Sequence, residues 1–383
     1  MRPLKNLLDL SCEFEDEIKK MVAMQKKDVA VLLFGAGSTS EYILHCFREY
    51  GIKPSYFMDN SPDKQGGMIS GCPVISVDVF CDMEWNAGYY IYITTQLYYS
   101  TIREQLLHAG VEDERISCYD VIPQFLWEKD YGAYFKRNIG CFERVAGFLF
   151  DDVSREVLWN RIAFLITRKR DYAVYARGLG NGCQYFDDTV YDVSQTRCMV
   201  DCGGYNGDTA EEFFLRSDAE ERFVYFFEPD KALLSEARER LQAYSDKVEY
   251  IKKATGDMDG IMGISSSFGM MKSIEHVGWS DSNADNQEYF EVCRIDDVIG
   301  TASRKIDLLK MDIEGAEMAT LHGARAVIER HYPICAVCAY HKADDLWMII
   351  DFLQKLTTEG YSYYLRHYSD NQTETVLYAV PGG

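Results

Sequence analysis

Residues of the types that bind small charged ligands are concentrated in one short segment near the middle of the chain. An acid at the end of an apolar run is followed by three glycines, an amide and a second acid: Asp201, Gly203, Gly204, Asn206, Gly207 and Asp208. Glycines there allow the backbone to approach a ligand closely. A dinucleotide loop has the pattern GxGxxG and leaves a helix N-terminus free for a pyrophosphate. Here acids bracket the loop, which favours a ligand that carries a cation and no phosphate.

A third acid follows the next apolar run. Glu228 comes about twenty residues after the glycine loop and is followed by Pro229. In nucleotide-binding α/β folds, an acid at this strand end can accept hydrogen bonds from both ribose hydroxyls. Together, the loop and Glu228 predict a nucleoside-binding site on successive strands.

Two more polar residues end predicted strands. Asp312 and His341 should both reach the crevice at the carboxyl edge of the sheet. A histidine with a pKa near neutral, oriented by Asp312 or Glu314, can serve as a general base. One alternative is that Asp312 and His341 hold a divalent metal ion. Another is that His341 is a surface histidine beside Lys342 and Asp344.

Three other charged side chains lie in or near these strands. Lys310 pairs with Glu314 or Glu317, or else takes part in an active site. We expect Arg366 and His367, on a late strand, either to contact a substrate or to be ordinary polar groups at a sheet edge.

The elements that must position these residues alternate between strand and helix from residue 198 onward. Seven strands are predicted, at 198–201, 223–228, 248–252, 306–311, 333–340, 361–367 and 375–380. Helices are predicted at 208–216, 231–244, 316–330 and 344–357. Turn-forming residues at 369–372 separate the last two strands, which favours a hairpin. The fold class is a doubly wound α/β sheet closed by an antiparallel hairpin.

A smaller Rossmann-like α/β unit is predicted before it. A strand at 29–34 ends in Gly35-Ala36-Gly37, and a helix at 38–50 and a strand ending at Asp59 follow. Asp59 has the spacing of a ribose-binding acid, but Ser40 stands where a third glycine belongs. The predicted domains are 1–120, a helical linker or lid at 121–170 with two helices, and 171–383.

Composition narrows the function classes. The formal charge of -21 disfavours nucleic acid and membrane surfaces as partners. The first twenty residues do not have the pattern of a signal peptide, and no apolar stretch is long enough to span a bilayer. The twelve cysteines have no framework spacing, which indicates free thiols and a cytoplasmic location. Cys335 and Cys338, three residues apart in a strand, should point to opposite faces of the sheet.

The second half of the chain resembles the FkbM family of methyltransferases. The resemblance lies in Gln184–Phe186, Asp201–Thr209, Phe227–Asp230, Ala254–Asp257, Leu308–Glu317, Tyr340–Lys342, Asp345–Trp347 and Leu365–Tyr368. In the N-terminal unit, residues 57–61 through 71–75 are similar to the Rossmann-like N-terminal domain of bacterial sugar acyltransferases. This second resemblance implies capture of a nucleotide or sugar moiety, and a degenerate fold kept for packing is the alternative.

The FkbM resemblance implies S-adenosylmethionine as the cofactor. Asp201 and Gly203 would line its methionine part and Glu228 its ribose. Backbone near Ala254 and Thr255 would contact adenine, with Asp257 on the amino group. Gly204, Asn206, Gly207 and Pro229 complete the predicted cofactor site, and His341, Asp312 and Glu314 form the predicted catalytic group.

The predicted function is methylation of a hydroxyl group on a sugar, a glycan precursor or a secondary metabolite. Two alternatives stay open: a non-catalytic protein that binds a nucleotide or sugar, and an NAD-dependent oxidoreductase that uses residues 35–59.

Overall fold

Two α/β units follow one another along the chain in the computed structural model. The structure describes residues 2–95, 98–119, 130–180, 182–216, 221–265, 273–276, 287–301, 303–356 and 360–382.

The first unit contains a six-stranded sheet. Its strands are β1 (Ala30–Phe34), β2 (Tyr56–Met58), β3 (Met68–Ile69), β4 (Cys72–Ile75), β5 (Tyr89–Ile93) and β6 (Ile116–Ser117). They lie in the order β3-β4-β2-β1-β5-β6, and all pairs are parallel except β3 with β4. Helices α1 (Phe14–Gln25), α2 (Ser38–Glu49), α3 (Val77–Asp82) and α4 (Tyr99–His108) accompany it. Val31 and Leu33 pack into one apolar cluster and Leu32 and Phe34 into another, as alternation along a strand requires.

Three helices come next: α5 (Tyr131–Phe148), α6 (Asp152–Thr167) and α7 (Asp171–Gly178). Asp130 caps α5 through the Ala133 N–H at 2.8 Å, and Asp151 caps α6 through the Ser154 N–H at 2.7 Å. The two predicted helices correspond to α5 and α6. Phe142 of α5 lies in the same apolar cluster as the central strands of the second sheet, which favours a structural role over a mobile lid. Residues 120–129 of the predicted linker lie outside the described residues.

The second unit begins with β7 (Cys198–Cys202), α8 (Asp208–Leu215), β8 (Phe223–Phe227), α9 (Lys231–Arg240) and β9 (Val248–Ile251). It continues with β10 (Ala254–Thr255), β11 (Gly260–Ser265), β12 (Ser273–His276), β13 (Gln287–Cys293) and α10 (Ile295–Ile299). It ends with β14 (Leu308–Met311), α11 (Glu317–Gly323), α12 (Arg325–His331), β15 (Ile334–Cys338), α13 (Asp345–Leu356), β16 (Tyr361–His367) and β17 (Thr375–Pro381).

Seven of these strands form one sheet in the order β16-β17-β15-β14-β7-β8-β9. All pairs are parallel except those of β17, which runs antiparallel to β15 and β16. This confirms the predicted doubly wound sheet and its closing hairpin. Cys335 and Cys338 lie in different apolar clusters on its two faces, as their spacing predicts.

Two features differ from the prediction. The helix expected at 316–330 is divided into α11 and α12 at Gly323, where a Cβ atom would lie 1.9 Å from the carbonyl oxygen of Gly256. In addition, β10, β13, β11 and β12 form a four-stranded sheet in that order, in a stretch where no strand was predicted. No helix in the described part of the chain is long and apolar enough to cross a membrane.

Candidate functional site

The predicted site residues meet where the strand order of the second sheet reverses. β7 and β14 are neighbours there, and their carboxyl ends open the crevice in which doubly wound folds bind ligands. A Cβ atom on Gly203 would lie only 2.0 Å from the carbonyl oxygen of Asp312, and the φ of Gly203 is +75°. Glycine is therefore required here by both space and backbone conformation. This close contact brings the glycine loop against the end of β14.

The rest of the loop is tied to β8. The N–H groups of Gly203 and Gly204 both donate to the Phe227 carbonyl, at 3.1 and 3.0 Å. A Cβ atom on Gly204 would lie 2.3 Å from the ring of Phe226. Gly207 has a φ of +83° and immediately precedes α8. Tyr205, at the tip of the loop, is 56% exposed. The loop is thus fixed at its base and exposes its tip.

Asp201 is fully buried beneath this loop. Its Oδ1 lies 2.9 Å from Nζ of Lys310, which also donates to the Gly203 carbonyl at 2.7 Å. Burial lowers the pKa of a lysine, but the nearby Asp201 and Asp312 outweigh it, so that the pKa of Lys310 is raised. Asp201 therefore supports the loop from below rather than presenting its carboxylate to the crevice. The expected pairing of Lys310 with Glu314 or Glu317 is wrong, because the register of β14 against β7 sets Lys310 beside Asp201.

Glu228 lies directly after β8, at the edge of the crevice. Its Oε2 accepts a hydrogen bond from the Tyr205 N–H at 3.0 Å, and its Oε1 accepts one from the Asp230 N–H at 2.8 Å. Burial of the side chain raises the pKa of Glu228 to about 7 despite these two bonds. Each carboxylate oxygen keeps a lone pair free for a further donor. Pro229 separates Glu228 from Asp230, whose side chain caps α9.

The remaining predicted cofactor residues lie around the same edge. Asn206 accepts a weak bond from the Asp208 N–H at 3.3 Å. Ala254 and Thr255 form β10, and the Gly256 N–H donates to the Cys293 carbonyl at 3.0 Å. Asp257 is exposed after this strand. A role for these residues in binding adenine stays a prediction.

Asp312 ends β14 between two tyrosines. The hydroxyl of Tyr185 donates to its Oδ2 at 2.8 Å and that of Tyr340 to its Oδ1 at 3.0 Å. Burial raises the pKa of a carboxyl, but Lys310, His341 and the two hydroxyls outweigh it and lower the pKa of Asp312. Asp312 is therefore an anchored carboxylate.

His341 is buried, with a side chain only 2% exposed, which rules out the surface-histidine alternative. Its Nδ1 lies 2.9 Å from Oε1 of Glu317, and its Nε2 lies 3.7 Å from Oδ1 of Asp312 and 3.6 Å from Oε2 of Glu314. Burial lowers the pKa of a histidine, but the three carboxylates outweigh it and raise the pKa of His341 to about 9. This pKa lies above the near-neutral value expected from the sequence, and a role of His341 as a base stays a prediction.

Glu317 is the site residue that sequence reasoning missed. It is fully buried, and its Oε1 also accepts bonds from the N–H groups of Ile313 and Gly315, at 3.1 and 3.4 Å. One potential ligand atom from each of Asp312, Glu317 and His341 lies within 4.8 Å of the others. The signal available in the sequence was a second acid, Glu317, three residues after Glu314 and at the start of the helix that follows β14.

Arg366 and His367 are buried away from this group. Arg366 binds the Asp151 carboxylate at 2.6 Å, which joins β16 to the start of α6. Nδ1 of His367 lies 3.0 Å from the hydroxyl of Thr375 on β17. Both residues lie on β16, the edge strand of the sheet, but they are buried and hold the hairpin and α6 together. A contact with an acceptor stays a prediction.

A separate cavity of about 420 Å³ lies at the carboxyl edge of the first sheet. Gly35, Ala36, Gly37 and Asp59 line it. Oδ2 of Asp59 accepts the Ala36 N–H at 2.7 Å and lies 3.2 Å from Nζ of Lys64. Asp59 thus ties β2 to the glycine turn.

The chain is similar to several solved structures. The chain is similar to the methyltransferase FkbM of Methylobacillus flagellatus KT, with 21% identity, a TM-score of 0.69, and coverage of 92% of this chain and 90% of that one. A methyltransferase from Geobacter sulfurreducens is 13% identical over 66% of this chain and 97% of its own, with a TM-score of 0.31. Precorrin-6y C5,15-methyltransferase from Geobacter metallireducens GS-15 is 9% identical over 50% of this chain and 84% of its own, also with a TM-score of 0.31. No curated protein matches significantly.

Two family models match the sequence. Residues 24–117 match the one described as C2185-like, N-terminal, which covers most of the first sheet. Residues 201–363 match the one described as Methyltransferase FkbM domain, which includes the glycine loop, Glu228, Asp312 and His341. The chain therefore matches the FkbM methyltransferase domain over 163 of its 383 residues.

Proposed function

We propose that the chain transfers a methyl group from S-adenosylmethionine to a hydroxyl group of a sugar, a glycan precursor or a secondary metabolite. The observation that carries the proposal is the convergence of the Gly203 loop, Glu228 and Asp312 at one crevice, with the loop in backbone contact with Asp312. The residues proposed to bind the cofactor and the residues proposed to bind the acceptor thus lie side by side.

The crevice has the chemistry that this cofactor needs. The glycines leave room for a ligand against the backbone, and Glu228 offers free lone pairs for the two ribose hydroxyls. The cofactor supplies a methyl group on a positively charged sulfur. The carboxylates of Asp312 and Glu314 favour a cation at this edge. Because the cofactor residues lie next to Asp312, the two bound reactants would be held close together and in a fixed orientation.

The acceptor hydroxyl is placed by His341, Asp312 and Glu314. Nε2 of His341 lies within 3.7 Å of both the Asp312 and the Glu314 carboxylate, and Glu317 contacts the other ring nitrogen at 2.9 Å. Above its raised pKa the imidazole is neutral and can accept the hydroxyl proton. Glu314 has a side chain that is 53% exposed, so the proton can leave to solvent there.

Calorimetric titration with S-adenosylmethionine and, separately, NAD tests the cofactor. We expect micromolar binding of S-adenosylmethionine that Glu228→Ala weakens at least tenfold. Glu236→Ala, an exposed acid on the neighbouring helix, is the matched control and should leave the affinity unchanged. Absence of S-adenosylmethionine binding, or binding of NAD alone, would refute the proposal.

A turnover assay tests the catalytic group. With an accepted hydroxyl substrate, His341→Ala should abolish formation of S-adenosylhomocysteine while cofactor affinity changes less than about twofold. Full activity in this variant would show that His341 has no catalytic role.

The cavity beside Asp59 favours a second proposal for the N-terminal unit. We propose that this cavity holds a nucleotide or sugar part of the acceptor, because the space lies at the carboxyl edge of a parallel sheet. The formal charge of -21 favours such an acceptor over nucleic acid, and the free thiols favour a cytoplasmic location. Replacement of Gly35, where a Cβ would lie 2.7 Å from Oγ1 of Thr94, by Val should raise the acceptor KM and spare cofactor affinity.

A further inference from the structure

We infer that Nε2 of His341, Oδ1 of Asp312 and Oε2 of Glu314 bind a divalent cation. The inference deepens the proposed function, on which the role of the ion rests, but the site itself can be tested without it.

The first argument is the geometry around Nε2. In the described part of the chain, this nitrogen is buried and has no hydrogen-bond partner. It lies 3.7 Å from the Asp312 oxygen and 3.6 Å from the Glu314 oxygen, which is too far for a hydrogen bond. An ion about 2.1 Å from both atoms of either pair would bond them at an angle of about 120°. Each gap is therefore wide enough to hold a cation between its two atoms.

The second argument is the arrangement behind the imidazole. Glu317 accepts two backbone N–H bonds and lies 2.9 Å from Nδ1, where it holds one proton of the ring. A divalent ion at Nε2 would displace the second proton, so that the lone pair of Nε2 faces the ion. A carboxylate that binds the far nitrogen is the usual support of a metal-binding histidine.

The third argument is charge. Asp312, Glu314 and Glu317 bring three carboxylates around one imidazole, while the cation of Lys310 is already paired with Asp201. A divalent ion offsets this excess of negative charge. One imidazole nitrogen with two carboxylate oxygens suits a first-row ion such as Mn²⁺.

The ion gives the acceptor hydroxyl a defined place. With the ion at Nε2, His341 is a ligand and does not act as the base. The acceptor oxygen binds the cation as a further ligand, and the O–H proton passes to solvent at the exposed edge beside Glu314. The oxygen then forms a bond to the methyl carbon while the carbon–sulfur bond breaks. The electron pair of that bond stays on sulfur, which leaves as a neutral thioether.

The test uses the full chain, treated with EDTA and titrated with MnCl₂ by calorimetry and by electron paramagnetic resonance. We expect one Mn²⁺ per chain, at least tenfold weaker binding in Asp312→Asn and in Glu314→Gln, and roughly 10–100-fold weaker binding in Glu317→Gln. Nitrogen modulation of the bound Mn²⁺ signal should disappear in His341→Ala. Glu329→Gln, at an exposed position of α12, is the control and should bind Mn²⁺ with unchanged affinity.

Two outcomes would overturn the site: no Mn²⁺ binding up to millimolar concentration, or binding that survives both Asp312→Asn and Glu314→Gln. Glu314 is half-exposed, so Glu314→Gln can still be tested for Mn²⁺ binding if Asp312→Asn does not fold. A parallel titration with S-adenosylmethionine separates the two proposals. Cofactor binding without Mn²⁺ binding refutes only the ion, and Mn²⁺ binding without cofactor binding supports the ion and refutes the proposed function.

Discussion

At the scale of single residues, the buried pair of Lys310 and Asp201 has a large effect on stability. The side chain of Lys310 is 3% exposed and that of Asp201 is 0% exposed, so removal of the cation leaves a buried carboxylate without this partner. Lys310→Met should lower the free energy of unfolding by about 3–5 kcal/mol, measured by urea denaturation. The double variant Asp201→Asn/Lys310→Met should recover part of this loss. A loss below about 1 kcal/mol in the single variant would contradict the account.

The raised pKa of Glu228 predicts that stability and cofactor affinity change with pH in opposite directions. Burial raises its pKa to about 7, above its ordinary value, so the folded chain disfavours the charged form and its contribution to stability falls as pH rises to 7 and beyond. Ribose hydroxyls donate to the charged form, so cofactor affinity should be about tenfold higher at pH 8 than at pH 6. Calorimetry at both pH values checks this, and Glu228→Gln should remove the dependence. Equal affinities in the wild-type chain would exclude Glu228 as the pH-sensitive contact.

At the scale of elements, the turn between β7 and α8 has no space for a side chain at Gly203. Gly203→Ala would place Cβ against the Asp312 carbonyl in a left-handed backbone conformation. We expect cofactor affinity to fall at least tenfold, because the loop must separate from β14. Gly147→Ala, at an exposed helix position with open space, should leave affinity unchanged and stabilise the chain by roughly 0.5–1 kcal/mol. Full cofactor affinity in Gly203→Ala would mean that the loop adapts without loss.

How far the sequence predicts each element depends on whether its signal is local. β7, β8, β14 and β15 are largely apolar runs with acids or a histidine in them or directly after them, so both the sheet and most of the candidate site could be predicted. The Asp201–Lys310 pair is not local, because it depends on strand register across more than one hundred residues. The strands β10–β13 carry glycines and polar residues without a clear period. Glu317 was missed because its partner, His341, lies at the end of another strand.

At the scale of the whole molecule, the start of the chain is part of the second unit. Leu4 and Leu7 lie in the same apolar cluster as α5, α6 and the central strands of the seven-stranded sheet. Leu7 is 1% exposed, so Leu7→Ala should cost about 2–5 kcal/mol of stability and weaken the methyltransferase domain. Lys5→Ala, in the same segment but exposed, is the control. Thermal unfolding followed at the aromatic residues checks this, and an unchanged transition would show that the segment is dispensable.

The thiols of the two cysteines of β15 can report separately on the opening of the two faces of the sheet. Cys335 and Cys338 belong to clusters on opposite faces, whereas Cys12, Cys81 and Cys183 are exposed. A thiol reagent can reach Cys335 only when one face opens and Cys338 only when the other does. The labelling rates of these two thiols, read by mass spectrometry against the exposed ones, would therefore give the opening free energy of each layer separately. The native chain thus allows the coupling between the two faces of this sheet to be measured without the introduction of a further cysteine.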